Sequence, residues 1–227
     1  GPGLGKTHLA QAIGIAIKER FPDQVVLYVT GNEFKTTYMH AVSVLNKLTD
    51  FMAYYMKLDV LIVDDIQVGN GRTGTFFSFE RAGIVPDMVV LSKSISGLGM
   101  PMSIVLVKPE LDIFRPAEHN GTFRGNQLAF VGSKAGIEYY NDHNLESDVK
   151  RKSAIIEKFL NERIASLDER ITIRGIGFIW GIDLNAIDSK LAVECVHKAF
   201  DNGLILEVAG RHDGVLTDFA VVGYLDE

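Results

Sequence analysis

The chain has 227 residues, of which 47% are apolar and 23% charged, and its formal net charge is −6. This composition is ordinary for a soluble globular protein with a substantial core, and the acidic balance excludes the basic surface typical of a nucleic-acid-binding protein. The single cysteine, Cys195, excludes an internal disulfide. Because no signal peptide and no apolar run of membrane-spanning length is seen, we expect a cytoplasmic protein without membrane or nucleic-acid partners.

The first part of the chain predicts alternating helices and strands. Apolar residues recur at helical spacing over 7–20, and continuous apolar runs at 24–30 and 59–64 are typical of buried strands. Two further helices are predicted between these strands, at 32–48 and 50–56. Strands that alternate with helices favour a parallel sheet with right-handed crossovers.

The pattern changes after Gln67, where a glycine-rich loop covers 68–74. Beyond this loop the predicted strands are 88–91, 103–107, 177–184 and 204–207, and the predicted helices are 126–142, 146–165 and 191–202. We expect the later elements to form a small α+β domain. The tail from 211 to 227 shows no clear pattern.

A glycine-rich turn at the start of the chain predicts a phosphate site. Gly5-Lys6-Thr7, which opens the first helix, matches the second half of the motif G-x-x-x-x-G-K-[ST]. Backbone N–H groups at a helix N-terminus bind phosphate oxygens, so Gly3 and Gly5 would shape the loop and Lys6 would reach the phosphates. The alternative is an ordinary glycine turn before a helix.

Two carboxylates at the end of the 59–64 strand complete this nucleotide hypothesis. Thr7 and Asp64 would hold Mg²⁺, and Asp65 would polarise the attacking water. Residues 1–67 resemble the AAA+ ATPase domain of the bacterial chromosomal replication initiator, on the strings Gly3-Leu-Gly-Lys-Thr-His-Leu9 and Leu58-Asp-Val-Leu-Ile-Val-Asp-Asp-Ile-Gln67. The resemblance implies a site for ATP and Mg²⁺.

Three later motifs point to another chemistry. They are Asp64-Asp-Ile-Gln-Val-Gly-Asn-Gly-Arg-Thr-Gly74, Leu91-Ser-Lys-Ser-Ile-Ser-Gly-Leu-Gly-Met-Pro101 and Gly121-Thr-Phe-Arg-Gly-Asn126. On these motifs, residues 64–210 resemble the class III, fold-type I aminotransferases, and among them the branch that acts on diaminobutyrate and 2-oxoglutarate in ectoine synthesis. The resemblance implies pyridoxal 5′-phosphate (PLP) as cofactor, and an amino acid and a 2-oxo acid as substrates.

The same resemblance implies a role for each matching residue. Lys93 corresponds to the lysine that binds PLP covalently and moves a proton during the reaction. Asp64 corresponds to the carboxylate that keeps the ring nitrogen protonated. Ile66 would pack on the ring face and Gln67 would bond the ring hydroxyl. Thr122 would bind the cofactor phosphate from the neighbouring subunit, which implies a homodimer. Taken alone, Lys93 would be a solvated surface lysine and Thr122 part of an ordinary turn.

Asp64 cannot serve a metal and a pyridine ring at once, so the two resemblances describe alternative sites. We hypothesise a chimera with an α/β fold, in which a P-loop-like part (1–67) joins part of a PLP-transferase large domain (68–145) in a mainly parallel three-layer sheet. A smaller aminotransferase-like α+β domain (146–227) follows. The functional alternatives are transamination, nucleotide binding and an inactive scaffold.

Overall fold

The computed structural model describes residues 6–43, 45–97, 99–112, 115–116, 125–188, 190–209 and 213–217. Inter-residue contacts divide the chain into two compact units. The first contains residues 1–71 and 75–143, and the second contains 72–74 and 144–227. In the described part of the chain, no helix combines the length and apolarity that crossing a membrane requires.

The first unit contains a four-stranded sheet whose strand order follows the chain order. Its strands are β1 (Val26–Thr30), β2 (Val60–Asp64), β3 (Met88–Ser92) and β4 (Ser103–Val107). The first three strands run parallel and β4 is antiparallel to β3. The expected α/β fold with a mainly parallel sheet is therefore confirmed. The segment before Gln67 and the segment after it contribute strands to one and the same sheet.

Helices cover both faces of this sheet, and they are α1 (Lys6–Arg20), α2 (Gly31–Ser43) and α3 (Leu48–Tyr55). A fourth helix, α4 (Gln127–Asp142), packs against the turn over Lys93–Ser96. Alternate strand residues point to opposite faces. Leu61 and Val63 pack with Phe34 of α2 and with α3, whereas Ile62 packs with Ile13 and Ile17 of α1. Because both faces are covered, β2 and β3 are buried along their whole length, which explains their continuous apolar sequences.

The second unit is an α+β arrangement. Its helices are α5 (Leu145–Phe159), which continues into a π-helical turn over Leu160–Ile164, and α6 (Leu191–Asp201). Its strands are β5 (Thr172–Ile176), β6 (Ile179–Asp183), β7 (Glu207–Ala209) and β8 (Val215–Thr217). They form an antiparallel sheet in the order β5-β6-β8-β7. Trp180 is buried in this unit, where its Nε1–H donates to the Gly177 carbonyl at 2.8 Å.

Three details of the second unit differ from the sequence predictions. The strand predicted at 204–207 begins only at Glu207, because Ile205 is 76% exposed and its apolar side chain contributes nothing to a core. The helix predicted at 146–165 is α-helical only as far as Phe159. Two strands, β5 and β8, were not predicted. Their pairing with β6 depends on tertiary contacts that short sequence windows do not contain.

Candidate functional site

Asp64 and Lys93 lie at the carboxyl ends of two neighbouring parallel strands. Asp64 is the last residue of β2 and is the register partner of Val90 in β3. Lys93 directly follows Ser92, which ends β3. Neighbouring strands are about 4.8 Å apart, so both residues lie at one edge of the sheet. This is the edge at which α/β sheets bind their ligands.

The Asp64 carboxylate is mostly buried, and hydrogen bonds orient both of its oxygens. The Tyr28 hydroxyl donates to Oδ2 at 2.7 Å, and the Ile66 backbone N–H donates to Oδ1 at 3.1 Å. Each oxygen thus has a donor, which restricts rotation of the carboxylate. A carboxylate accepts up to about four hydrogen bonds, so this arrangement is compatible with acceptance from a ligand N–H.

Lys93 has an unusual backbone. Its φ of 55° lies in the left-handed region, which non-glycine residues seldom occupy. It begins a 3₁₀ turn (Lys93–Ser96), in which the Ser96 hydroxyl donates to the Lys93 carbonyl at 3.1 Å. The Lys93 side chain is exposed. Strained backbone of this kind clusters at ligand sites, where surrounding structure holds it in place.

Glycines fix the turn that follows Lys93. Gly97 has a φ of 70° and packs against α4 so closely that a Cβ at this position would overlap the Gly132 carbonyl oxygen. A second link comes from Asn70 in the loop after β2, whose Nδ2 donates to the Ser94 hydroxyl at 3.2 Å. The loop after Asp64 and the turn after Lys93 therefore form one connected structure.

Asp65, the next residue in the chain, is 0% exposed and contacts Ser78. The Ser78 backbone N–H donates to Asp65 Oδ2 at 3.1 Å, while Oδ1 has no hydrogen-bond partner among the described residues. Burial raises the pKa of Asp65 to about 6, and the contact with Ser78 opposes this rise. The nucleotide hypothesis gave Asp65 to the attacking water, but this carboxylate has no solvent access.

Two further predicted cofactor residues follow directly in the chain. Ile66 is 8% exposed and belongs to a buried cluster with Ile62 and Val90. Gln67 is exposed. Both lie within three residues of Asp64 at the same edge of the sheet, and their contacts with a ring stay predictions.

The remaining predicted site residues lie at the start of the chain and at Thr122. Thr122, Gly3 and Gly5 lie outside the described residues. Lys6 and Thr7 open α1, but their side chains are not described. The ligand roles predicted for all five stay predictions. In the part of the chain that the structure describes, no group of three or more His, Cys, Asp or Glu side chains is arranged to hold a metal ion.

Sequence reasoning missed Tyr28. The alternation of side chains along 24–30 could have placed it on the face of the sheet that Asp64 shares, but only the register of β1 against β2 shows the contact. It also missed Asn70, whose φ of 60° marks a tight turn. The sequence signal for Asn70 was its position between Gly69 and Gly71.

Known proteins resemble most of this chain. The family model described as aminotransferase class-III matches residues 37–218. Diaminobutyrate–2-oxoglutarate transaminase of Halalkalibacterium halodurans is 48% identical over 171 residues, which are 74% of this chain and 39% of that protein. The protein of the same name from Wolinella succinogenes is 49% identical over 158 residues, which are 69% of this chain and 36% of that protein. The chain thus spans about two fifths of the length of these curated relatives.

Solved structures of aminotransferases have a fold similar to that of this chain. Ornithine aminotransferase from Toxoplasma gondii ME49 superposes with a TM-score of 0.69 at 24% identity, covering 92% of this chain and 49% of that one. Acetylornithine aminotransferase from Elizabethkingia anophelis gives 0.62 at 26% identity, covering 77% and 43%. The family match begins at residue 37 and so includes part of the segment that resembles the replication initiator. The initiator resemblance therefore rests on its sequence strings alone.

Proposed function

The chain belongs to the class III aminotransferase family, whose members are PLP-dependent, and we propose that it takes part in PLP-dependent transfer of an amino group. The single observation that supports this most strongly is the position of Asp64 and Lys93 at adjacent ends of two parallel strands. A carboxylate and an amine at one strand edge are the two groups that a pyridine aldehyde cofactor requires.

The residues present fit the cofactor. When bound, PLP draws electrons from the substrate through its protonated ring nitrogen. The Asp64 carboxylate, oriented by Tyr28 and Ile66, would accept the ring N–H. The exposed amine of Lys93 would bind the cofactor covalently and then carry a proton to and from the substrate. The turn fixed by Gly97 would hold that amine near the strand edge.

Three further residues would complete the cofactor site. Ile66 would pack against the ring and Gln67 would bond the ring hydroxyl. Thr122 of a second subunit would bind the phosphate, which makes the active form a homodimer. The domain organisation belongs to the same proposal, with residues 68–145 as part of the large domain and 146–227 as the small domain.

The substrates we propose are diaminobutyrate and 2-oxoglutarate. Their support is the name shared by two relatives that are 48% and 49% identical to this chain. Because the chain spans about two fifths of each relative, turnover needs its own measurement. The sequence left two alternatives, an ATP- and Mg²⁺-binding module and an inactive scaffold. The experiment below distinguishes both of them from an aminotransferase.

The decisive test is an absorbance spectrum of the purified protein with PLP, before and after borohydride reduction. We expect a band that borohydride removes, and we expect mass spectrometry of the reduced protein to place the cofactor on Lys93. The band should disappear in Lys93→Ala. It should persist in Lys134→Ala, which removes an exposed lysine of α4.

Three results would contradict the proposal. Attachment of PLP to several lysines, or an equal band in Lys93→Ala, would mean that binding is not site-specific. If no band forms, the melting temperature with ATP and Mg²⁺ decides between the alternatives, because a ligand that binds the native state raises it. A rise that Lys6→Ala abolishes would support the nucleotide module, and no rise with either ligand would support the inactive scaffold.

A further inference from the structure

Tyr28 contacts the carboxylate of the proposed cofactor site from a strand that lies outside the family match. It is the third residue of β1, and its hydroxyl donates to Asp64 Oδ2 at 2.7 Å. The family model matches only from residue 37 onward, so the match assigns Tyr28 no role.

The strand register explains how this contact arises. Tyr28 is the partner of Ile62 and Thr30 is the partner of Asp64. Side chains two residues apart on a strand share a face, so Tyr28, Ile62 and Asp64 point the same way. A diagonal neighbour in a sheet is within reach of an aromatic side chain. The half-buried ring of Tyr28 packs on the cluster that contains Ile62, which directs its hydroxyl to the strand end.

We propose that Tyr28 is a positioning residue, which holds the Asp64 carboxylate in the orientation that accepts the ring N–H of PLP. This inference rests on the proposed function. The Ile66 N–H donates to Oδ1 and the Tyr28 hydroxyl donates to Oδ2, so the loss of the Tyr28 hydroxyl removes one of the bonds that restrict rotation of the carboxylate about Cβ–Cγ. A carboxylate that rotates presents its lone pairs to the ring nitrogen for only part of the time.

The test compares two cofactors and two variants. The cofactors are PLP and the analogue in which carbon replaces the ring nitrogen, which has no N–H to donate. The variants are Tyr28→Phe and, as a matched control, Tyr38→Phe. Tyr38 is also half-buried in the first unit and also donates one hydroxyl hydrogen bond, to the Arg81 carbonyl at 3.1 Å.

We expect Tyr28→Phe to weaken PLP binding about tenfold, the effect of one hydrogen bond to a charged group. Binding of the carbon analogue should change by less than about twofold, because the analogue makes no bond to Asp64 that positioning would strengthen. Tyr38→Phe should leave both dissociation constants unchanged. Binding is followed by quenching of protein fluorescence, so the result does not depend on turnover.

The outcomes separate this inference from the proposed function. If the wild type binds PLP through Lys93 and Tyr28→Phe binds it equally well, the positioning role fails while the proposed function stands. Equal weakening for both cofactors would mean that Tyr28 supports only the fold, which also overturns the role. If the wild type forms no Lys93-dependent complex with PLP, the proposed function fails and this role fails with it.

Discussion

Gly97 lies so close to Gly132 that a methyl group added to Gly97 would overlap the carbonyl oxygen of Gly132. This close contact joins the turn that begins at Lys93 to helix α4. It is possible only because Gly97 lacks a side chain, and because glycine readily adopts the φ of 70° found there.

Gly97→Ala should destabilise the protein more than the backbone conformation alone explains. We expect the free energy of unfolding to fall by on the order of 3 kcal/mol, because both the left-handed φ and the overlap with Gly132 disfavour the added Cβ. Gly99→Ala is the matched control. It has a similar φ of 72° but open space around its Cβ position, so it should cost only about 1 kcal/mol. Urea unfolding curves of the two variants provide the measurement, and equal losses would mean that the helix contact is unimportant.

The backbone strain at Lys93 should appear as a preference for glycine. Because Lys93 has a φ of 55°, Lys93→Gly should be more stable than Lys93→Ala by about 1 kcal/mol. At Lys134, inside helix α4, the order should reverse, and glycine should be less stable than alanine by about 1 kcal/mol. Thermal unfolding of the four variants tests this crossover. The same order at both positions would contradict strain at Lys93.

Burial of Asp65 should make stability depend on pH between about 4 and 6. The pKa rises from its ordinary value of 3.8 to about 6 on folding. The folded state therefore binds more protons than the unfolded state in this window, and stability falls as pH rises through it. A shift of this size corresponds to about 3 kcal/mol, lost in full above the folded pKa.

Asp65→Asn removes the titrating group, so the free energy of unfolding should depend less on pH in this variant. The comparison needs urea unfolding of wild type and variant from pH 4 to 7.5, read as the difference between the two curves at each pH. Parallel curves would show that Asp65 titrates alike in the folded and unfolded states. Asp59→Asn is a suitable control, since Asp59 lies at a more exposed position where its side chain accepts from the Val25 N–H.

Helix α4 presents apolar side chains at its start that should contribute to a subunit interface. Leu128 and Val131 are each 68% exposed and lie three residues apart, so they share one face of the helix. If the active form is a homodimer, Leu128→Glu combined with Val131→Glu should weaken dimerisation at least ~10-fold, because two charges would enter a contact that excludes water.

Sedimentation velocity at several protein concentrations tests this expectation. Val85→Glu is the control, because Val85 is 75% exposed in the same unit but lies on a loop before β3. A wild-type monomer, or equal behaviour of the two variants, would contradict an interface at α4.

The central strands could be predicted from sequence because both of their faces are buried. A strand buried on both faces needs apolar residues at every position, which made β2 and β3 visible as continuous runs. The structure then shows that Asp64 ends β2 and that Lys93 directly follows β3, at one edge of the sheet. Strands of the second unit gave weaker signals. Arg174 and Gly175 interrupt β5, and β8 is only three residues long, so their pairing partners determine both strands.

The contacts within the site could not be predicted because they depend on register and backbone conformation. The bond from Tyr28 to Asp64 requires knowledge of which residues of β1 and β2 face each other. The left-handed backbone of Lys93 has no sequence signal, since lysine seldom adopts it. The raised pKa of Asp65 follows from its burial. The sequence does not reveal this burial, because the adjacent Asp64 is the same residue type and is less deeply buried.

The strand order of the first sheet has a consequence for how the protein is made. Because the order β1-β2-β3-β4 repeats the order of synthesis, each strand that leaves the ribosome can add beside the one before it. The entropic cost of closing each loop between the strands grows only slowly with the length of the loop. We therefore expect the edge that carries Asp64 and Lys93 to assemble early on the nascent chain, before residues 144–227 have been translated.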